Sequence, residues 1–462
     1  MLDFFSDSTA SEVAATALRF SDTGLFLSFA FIAHYLYTLV TRCWRQSILI
    51  DYWHYVVGVG IVLPFFVMYP FASAAPNVLS VGTAMDDIRS GFGQACSINM
   101  VGYLALVFGG WMHRRAQASA RRGRSQDVLY ERVARRMCNA IQHGSVTLRL
   151  LELSCLLGVL VLLFAKLKFG AVFGIRDQLF QDPLTRVIFN IWYSVYVVSF
   201  ALACIRLAHK PSGYVAVLLI LAFVCSALTG SRSMTLLTAI DVLIACFAVY
   251  KGRVNLRAVV AAALLLSAVI GITTTLRNAE QQEQADSADN ELPLVTLLYG
   301  NTLSDLRDFA WVLQASDARG ELLLGRSYVS AMISFVPRGL SDFREKYSIG
   351  TYTNELIGID SAVHPGVRGG KFLEPYLNFG LPGVLLFGYV AGNLLSRTCA
   401  FMAAQPGNAS GLARAYGAIV PYFIFSQLLI SSGFWVVYVF LFVLLAAPMP
   451  RKRASAIAHA AP

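Results

Sequence analysis

The residues best suited to chemistry lie in one long polar segment, from Arg277 to Tyr376. It carries nine Arg and Lys residues, and four of its arginines stand beside Gly or Pro. Arg338 follows Pro337, which restricts the local backbone, and Arg368 precedes two glycines, where a main chain can approach a ligand closely. A guanidinium group binds phosphate oxygens through two parallel hydrogen bonds and remains charged at neutral pH. These positions therefore predict a site for a phosphate-bearing substrate.

The same segment supplies further candidates for proton transfer and for binding. His364 and Glu374 are the candidate proton acceptors, because an ordinary imidazole or a partly buried carboxyl group can titrate near neutral pH. We expect weaker substrate contacts from five other side chains: Lys371, Arg326, Tyr376, Arg344 and Lys346. Alternatively, most of these charged side chains are ordinary solvated residues on the surface of an exposed loop.

One candidate stands outside this segment, in a short turn between two apolar stretches. Arg232 belongs to the sequence Thr229–Ser233, and an arginine at the edge of a bilayer either reaches the headgroups or serves a site. We expect Arg232 to join the phosphate-binding arginines, and a headgroup anchor is the alternative. Asp241, in the middle of the next apolar stretch, is interpreted as a helix-packing hydrogen-bond partner, with catalysis as the alternative.

Composition indicates which elements must position these residues. Apolar residues make up 56% of the chain and charged residues only 14%, against roughly 25% charged residues in soluble domains. A stretch of roughly 17–25 apolar residues is long enough to cross a bilayer as a helix. The sequence therefore predicts an all-α, polytopic transmembrane bundle of about eleven spans, and a less apolar stretch near Glu12–Phe20 would make twelve. The eleven are at 24–41, 52–71, 95–112, 150–168, 185–207, 213–230, 233–250, 257–275, 377–396, 413–431 and 433–448.

The distribution of charge predicts the orientation of these spans. Nine arginines lie between Arg114 and Arg149, opposed only by Asp127 and Glu131, whereas 276–376 holds fourteen acidic against nine basic residues. Short basic loops of membrane proteins face the cytoplasm. The formal net charge of +10 thus follows the pattern of a membrane protein, and we expect no nucleic acid as a partner.

This topology divides the chain into three predicted parts. They are an N-terminal transmembrane bundle (1–275) with a cytoplasmic Arg-rich loop (113–149), a large periplasmic loop (276–376), and C-terminal spans with a cytoplasmic tail (377–462).

Within these parts, helical spacing predicts three shorter helices. A solvated or headgroup-contacting helix is expected around Val133, Met137 and Ile141. An amphipathic helix on the bilayer is expected over Leu292–Ala315. A short helix over Tyr328–Phe335 should end before Pro337.

Several classes of site are absent from the sequence. The eight cysteines are scattered singly and none falls in 276–376, so that loop has no disulfide framework or zinc cluster. The chain also lacks a P-loop, an Asp-x-Asp pair, a His-Glu-x-x-His motif and a Gly-x-Ser-x-Gly motif. We therefore expect no cofactor and no metal. The N-terminal residues lack the basic start and apolar core of a cleaved signal peptide.

Three sequence blocks, in order, resemble the Wzy-type O-antigen and exopolysaccharide repeat-unit polymerases. The first is Gly230-Ser231-Arg232. The second runs from Leu324-Gly325-Arg326-Ser327-Tyr328 to Phe335-Val336-Pro337-Arg338. The third is Gly369–Gly380, with Gly383 beyond it. The likeness covers about residues 213–395, and the first half of the chain is similar only in being polytopic.

The resemblance implies a GT-C-like glycosyltransferase of the bacterial inner membrane, with its active site facing the periplasm and no metal. Its substrate would be an undecaprenyl-diphosphate-linked oligosaccharide within the membrane lipid, and a chain-length regulator protein is an implied further partner. By resemblance, Arg232 and Arg338 would bind the leaving diphosphate, Arg368 would make a second anionic or sugar contact, and Glu374 would be catalytic or would orient the acceptor.

Two other functions fit the same features. An O-antigen ligase performs the same chemistry with lipid A-core as the acceptor. A transporter of polysaccharide or lipid-linked oligosaccharide is the alternative from another class. Transporters favour internal repeats and broken spans near the bilayer midplane, whereas this sequence concentrates its charge in one loop, so we favour the polymerase.

Overall fold

Helices are the only regular elements in the part of the chain that the structure describes. The structure is a computed structural model, and it describes residues 24–42, 51–70, 85–120, 145–170, 183–229, 305–336, 340–359, 369–403 and 434–446, with scattered positions in 132–140, at 175, 178, 179 and 367, and in 420–431. In chain order the helices are α1 (Gly24–Arg42), α2 (Tyr52–Pro70), α3 (Met85–Ala120), α4 (Ser145–Phe169), α5 (Pro183–His209), α6 (Gly213–Leu228), α7 (Asp305–Arg319), α8 (Arg326–Met332), α9 (Asp342–Tyr347), α10 (Ile349–Leu356), α11 (Gly370–Ala403) and α12 (Phe434–Ala446).

Six of these helices are long and apolar enough to cross a membrane, namely α1 to α5 and α11. Each coincides with a span predicted from the sequence, and two shorter apolar helices, α6 and α12, coincide with the spans predicted at 213–230 and 433–448. The predicted spans at 233–250 and 257–275 lie outside the described residues, as does most of 413–431. The described residues therefore form a helical protein of the membrane type.

The helices divide between two compact units. The first contains α1 to α3, α7 to α10, nearly all of α11 and the short segment 425–434; the second contains α4 to α6 and nearly all of α12. The first unit is formed from residues far apart in the sequence, and it contains every described residue that the sequence analysis assigned to a site.

Glycines let two candidate spans of the first unit, α3 and α11, approach each other closely. A side chain at Gly392 would fall on the carbonyl oxygen of Leu106, and one at Gly388 would lie 2.8 Å from the carbonyl oxygen of Gly102. Gly388 and Gly392 are four residues apart, the spacing that allows transmembrane helices to pack backbone against backbone. Close packing replaces the hydrophobic driving force, which is weak between helices in lipid.

Helix α2 starts from a polar network and widens around a proline. Asp51 caps its first turn, accepting a hydrogen bond from His54 N at 2.8 Å, and its carboxylate also contacts Arg42 Nη1 at 3.1 Å. The stretch Gly58–Val67 is π-helical and contains Pro64. Because Pro64 has no N–H, the regular helical hydrogen bond is missing there, which is a common cause of such a widened turn.

Helix α7 corrects the prediction of a helix lying on the bilayer over Leu292–Ala315. Residues 292–304 lie outside the described residues. In the described helix, Asp305–Arg319, the apolar side chains of Leu306, Phe309 and Leu313 are almost completely buried. The helix packs against α3, where Gly91 leaves room for Ala310. The apolar periodicity was a valid sign of an amphipathic helix, but periodicity does not distinguish a protein partner from lipid.

The second unit corrects the expectation of a solvated helix around Val133, Met137 and Ile141. Met137 is fully buried in an apolar cluster with residues of α4, α5 and α12, and Val133 packs against this cluster. Ile141 lies outside the described residues. The apolar face of this Arg-rich stretch is therefore part of a protein core.

We predict that Gly392→Ala destabilises the protein, because one added methyl group would overlap the Leu106 carbonyl and separate α3 from α11. Overpacking of this kind typically costs about 1–3 kcal/mol. Thermal unfolding in detergent, followed by size-exclusion chromatography, should show a lower midpoint. Gly213→Ala is the matched control, because a side chain there meets nothing within 4 Å; equal midpoints for the two variants would contradict the packing argument.

Candidate functional site

A break in helix α11 organises the candidate site. Gly380 has φ 63° and ψ −154°, a non-helical conformation that glycine adopts without strain. Two residues later, Pro382 has no N–H and cannot donate to the carbonyl of Asn378, as a residue in that position of a regular helix would. The first part of α11 therefore ends with backbone acceptors that need partners from elsewhere in the chain.

The segment just before α8 supplies these partners. Leu323 N donates to Leu377 O at 2.9 Å, and Leu324 N donates to Asn378 O at 3.0 Å. Gly325 N donates to the side-chain Oδ1 of Asn378 at 2.9 Å. Leu324 and Gly325 both have positive φ, 49° and 86°, so the chain turns sharply here and then enters α8. We call this pairing of 323–325 with 377–378 the α11 junction.

The buried carboxyl group of Glu374 ties a third segment to the α11 junction. Only 3% of the residue is exposed. Its Oε1 accepts hydrogen bonds from the Ser327 hydroxyl at 2.6 Å and from the Ser431 hydroxyl at 2.5 Å, and its Oε2 accepts from Ser431 N at 2.7 Å. Asn378 Nδ2 donates to Ser327 Oγ at 2.8 Å. Three donors thus satisfy a polar group whose burial would otherwise be strongly unfavourable.

Aromatic stacking covers this polar network. The Tyr328 ring stacks on Phe379 at 6.2 Å and on Phe387 at 5.5 Å between ring centroids, and Phe387 also contacts Phe425 at 5.8 Å. The buried hydroxyl group of Tyr328 has no hydrogen-bond partner among the described residues.

Two predicted binding residues, Arg326 and Lys346, meet at the half-buried ring of Tyr347. Arg326 Nη1 donates to Tyr347 OH at 3.3 Å, with its Cζ 5.1 Å from the ring centroid, and Lys346 Nζ lies 5.6 Å from the same centroid. The two cationic groups are therefore at most about 11 Å apart, close enough to contact one diphosphate group. Arg344 lies on the same short helix α9 and is partly buried.

Lys371 and Tyr376 lie on the first part of α11, not in the polar loop in which they were placed by the sequence. The methylene groups of Lys371 lie beside Gly60 of α2, and the carboxyl group of Asp305 is the charge that acts on its ammonium group. Tyr376 forms a side-chain hydrogen bond with Gln94 of α3. Both side chains are partly buried and contact protein groups, so they bind α11 to its neighbouring helices.

Helix α11 begins at Gly370, before the start of the predicted span at 377. The stabilisation from burying its side chains is greater than the unfavourable helix propensity of its first residues. Gly369, Gly370 and Pro375 indicate a loop when the sequence is considered alone. In the structure Phe372 and Leu373 are buried in the first unit, and this burial stabilises helical backbone that local propensity does not favour.

The other predicted site residues lie outside the described residues. They are Arg232, Arg338, Arg368 and His364, and the same is true of Asp241.

Sequence reasoning assigned no role to Ser327, Asn378, Ser431 or Tyr347. Asn378 and Glu374 are four residues apart and therefore share one face of a helix. This spacing could have indicated that the two polar side chains belong to one network. Ser431 begins a Ser-Ser-Gly interruption of an apolar stretch, and such an interruption marks a polar group in an otherwise apolar environment. Nothing in the sequence indicates that Tyr347 would meet Arg326.

Comparison with protein-family models, with curated proteins and with solved structures finds no match to the chain.

We predict that Ser327→Ala destabilises the protein more than Ser330→Ala. Both serines are buried on α8, but Ser327 donates to a carboxyl group, whereas Ser330 donates to the Arg344 carbonyl at 3.3 Å. Removing the Ser327 hydroxyl takes one of three donors from a buried carboxyl group, at a cost of about 1–3 kcal/mol. The Arg344 carbonyl, by contrast, still accepts from Ser348 N at 3.0 Å when Ser330 is removed. Thermal unfolding midpoints in detergent measure the difference, and an equal or larger loss for Ser330→Ala would show that Glu374 does not hold α8.

Proposed function

We propose that this chain is a glycosyltransferase that polymerises undecaprenyl-diphosphate-linked oligosaccharide repeat units at the periplasmic face of the bacterial inner membrane. One observation supports this proposal above the others. Two of the three blocks that resemble the repeat-unit polymerases, 324–328 and 369–380, are joined directly by the hydrogen bonds of Glu374 and Asn378. Blocks that are distant in sequence but contribute to one site are expected to meet in this way.

The exposed cations next to this junction support a phosphate-bearing substrate. Arg326 begins α8, directly after the α11 junction, and together with Lys346 it presents positive charge beside Tyr347. An aromatic ring flanked by cations suits a substrate that carries both a sugar and a diphosphate group, because the ring offers an apolar face and the cations bind phosphate oxygens. The resemblance implies Arg338 and Arg368 as further ligands of the anionic substrate.

The reaction requires charge stabilisation on the leaving group. A hydroxyl group of the acceptor repeat unit attacks the anomeric carbon of the donor glycan, a new glycosidic C–O bond forms, and the bond between that carbon and the lipid diphosphate breaks. The diphosphate leaves with an additional negative charge, and the acceptor hydroxyl loses its proton. Fixed guanidinium groups directed at the developing charge lower the barrier, and removing one such contact typically reduces the rate about 100- to 1000-fold.

The geometry favours a positioning role for Glu374. Its carboxyl group is almost fully buried and accepts three hydrogen bonds from Ser327 and Ser431. A carboxyl group that acts as a general base must lie within hydrogen-bond reach of the reacting hydroxyl. We therefore propose that Glu374 holds the binding segment in place and that His364 accepts the proton.

The proposal also includes the finer features of the fold. About eleven spans in a GT-C-like arrangement would carry 276–369 as a periplasmic loop, since α11 begins at Gly370. Segment 113–149 would be cytoplasmic because of its arginines.

We predict that a reporter fused after Gln284 is periplasmic and that one fused after Arg124 is cytoplasmic. The first position lies in the acidic long loop and the second in the Arg-rich short loop. Paired alkaline phosphatase and green fluorescent protein fusions at each position measure the two sides independently. The opposite result at either position would reverse the orientation and remove the periplasmic site from the proposal.

We predict that deletion of the gene leaves surface glycans capped with a single repeat unit, and that Arg326→Ala fails to restore long chains. Gel electrophoresis of extracted glycans measures chain length. Arg326→Lys should restore part of the polymer, since an ammonium group keeps the charge but loses the paired hydrogen bonds. Arg319→Ala is the matched control, because Arg319 is exposed in the same unit and pairs with Glu355 at 3.6 Å.

The glycan pattern of the deletion strain separates the three candidate functions. Free lipid-linked polymer would identify a ligase, and repeat units retained on the inner leaflet would identify a transporter. Full-length polymer with Arg326→Ala would remove Arg326 from the substrate site.

A further inference from the structure

Beyond Arg326, its exposed first residue, helix α8 has its polar and apolar faces reversed relative to a helix that faces water. Its inward side chains are Ser327, Tyr328 and Ser330, all buried, whereas Val329 and Met332 are about half exposed, at 50% and 49%. A helix at an aqueous surface places apolar side chains inside and polar ones outside. The reversed pattern indicates that the surroundings of α8 are apolar.

Exposed apolar residues continue on both sides of α8. Leu322 and Leu324 precede the helix, with Leu324 66% exposed, and Phe335 follows it at 63%. Soluble monomers rarely expose a contiguous apolar patch of this kind unless it binds something. We call this surface, formed by residues 322–335, the apolar strip.

The packing of α8 places the apolar strip beside a candidate span. Tyr328 stacks on Phe387, seven residues beyond Gly380, and seven residues of helix rise about 10 Å. On the same part of α11, Leu385 and Leu386 are exposed at 49% and 60%, as lipid-facing residues of a span are. Helix α8 thus lies alongside the lipid-facing part of α11, and not beyond its end.

The backbone of the connecting turn also fits a position within the bilayer. Irregular backbone at membrane depth requires its N–H groups to be bound by protein, because no water is present to bind them. Leu323, Leu324 and Gly325 lie before the helix begins, and each donates its N–H to the α11 junction. The turn therefore satisfies its donors without solvent.

We propose that residues 322–335 form a re-entrant segment whose apolar strip is immersed among the acyl chains of the bilayer. Arg326 and Lys346, together with Tyr347, would then lie at the level of the lipid headgroups, where tyrosine and basic side chains are favoured. The occupant of the strip is lipid, because the strip continues the exposed leucine surface of α11. This inference does not depend on the proposed enzymatic function.

A depth measurement on the full-length protein in phospholipid nanodiscs tests the proposal. A genetically encoded fluorescent amino acid replaces Met332, and its quenching by doxyl-labelled phospholipid is compared with its quenching by aqueous iodide. Leu385 provides the lipid reference and Glu345, exposed on α9, provides the aqueous reference. Val329 is a second test position in case the variant at Met332 does not fold, which size-exclusion chromatography would reveal.

We expect position 332 to behave like Leu385, with strong quenching by the doxyl lipid and loss of quenching by iodide. Quenching by iodide at the level of Glu345 would show that the strip faces water and would overturn the proposal. Protection from both quenchers would also overturn it, because the strip would then be covered by protein, such as a second copy of the chain.

Discussion

The main constraint on the first unit is the interruption of α11 at Gly380 and Pro382. A helix that stops inside a membrane protein leaves carbonyl groups without donors, and in an apolar environment unsatisfied groups are strongly unfavourable. The donors come from 323–325, more than fifty residues earlier in the chain. The interruption therefore determines where this segment lies, and α8 follows from that position, because Gly325 directly precedes its first residue.

The same junction separates two chemical environments. On one side, Glu374 accepts hydrogen bonds from Ser327 and Ser431 in a fully buried polar network. On the other side, α8 exposes Val329 and Met332, and Arg326 stands at the boundary. A lipid-linked diphosphate has the corresponding division, with an apolar tail and a charged head. In the proposed enzyme, the α11 junction positions Arg326 at the depth where the charged head of the substrate lies while the lipid tail remains in the bilayer.

The sequence predicts the spans well because their information is local. A continuous apolar stretch specifies a membrane helix with little help from its neighbours, and all eight described apolar helices fall on predicted spans. Helix α7 and Met137 pack against residues that are distant in the sequence. An apolar stripe can therefore be assigned to the bilayer although it packs against protein. The pairs Ser327–Glu374 and Ser431–Glu374 are 47 and 57 residues apart; residue types suggest such polar contacts, but only the folded backbone determines which groups meet.

The surroundings of Glu374 are the reason for proposing a positioning role for it in place of the catalytic role that its motif suggests. The motif Glu374-Pro375-Tyr376 combines a carboxyl group with a constrained backbone, which suits a catalytic acid or base. In the structure both oxygens of that carboxyl group already accept hydrogen bonds, and Tyr328 and Phe379 stack above the network. To reach a substrate, Glu374 would have to leave three donors unsatisfied in a buried site, each at a cost of about 1–3 kcal/mol. Holding Ser327, and through it the start of α8, requires no such rearrangement. In the proposed positioning role, Glu374 determines where Arg326 lies without itself binding the substrate.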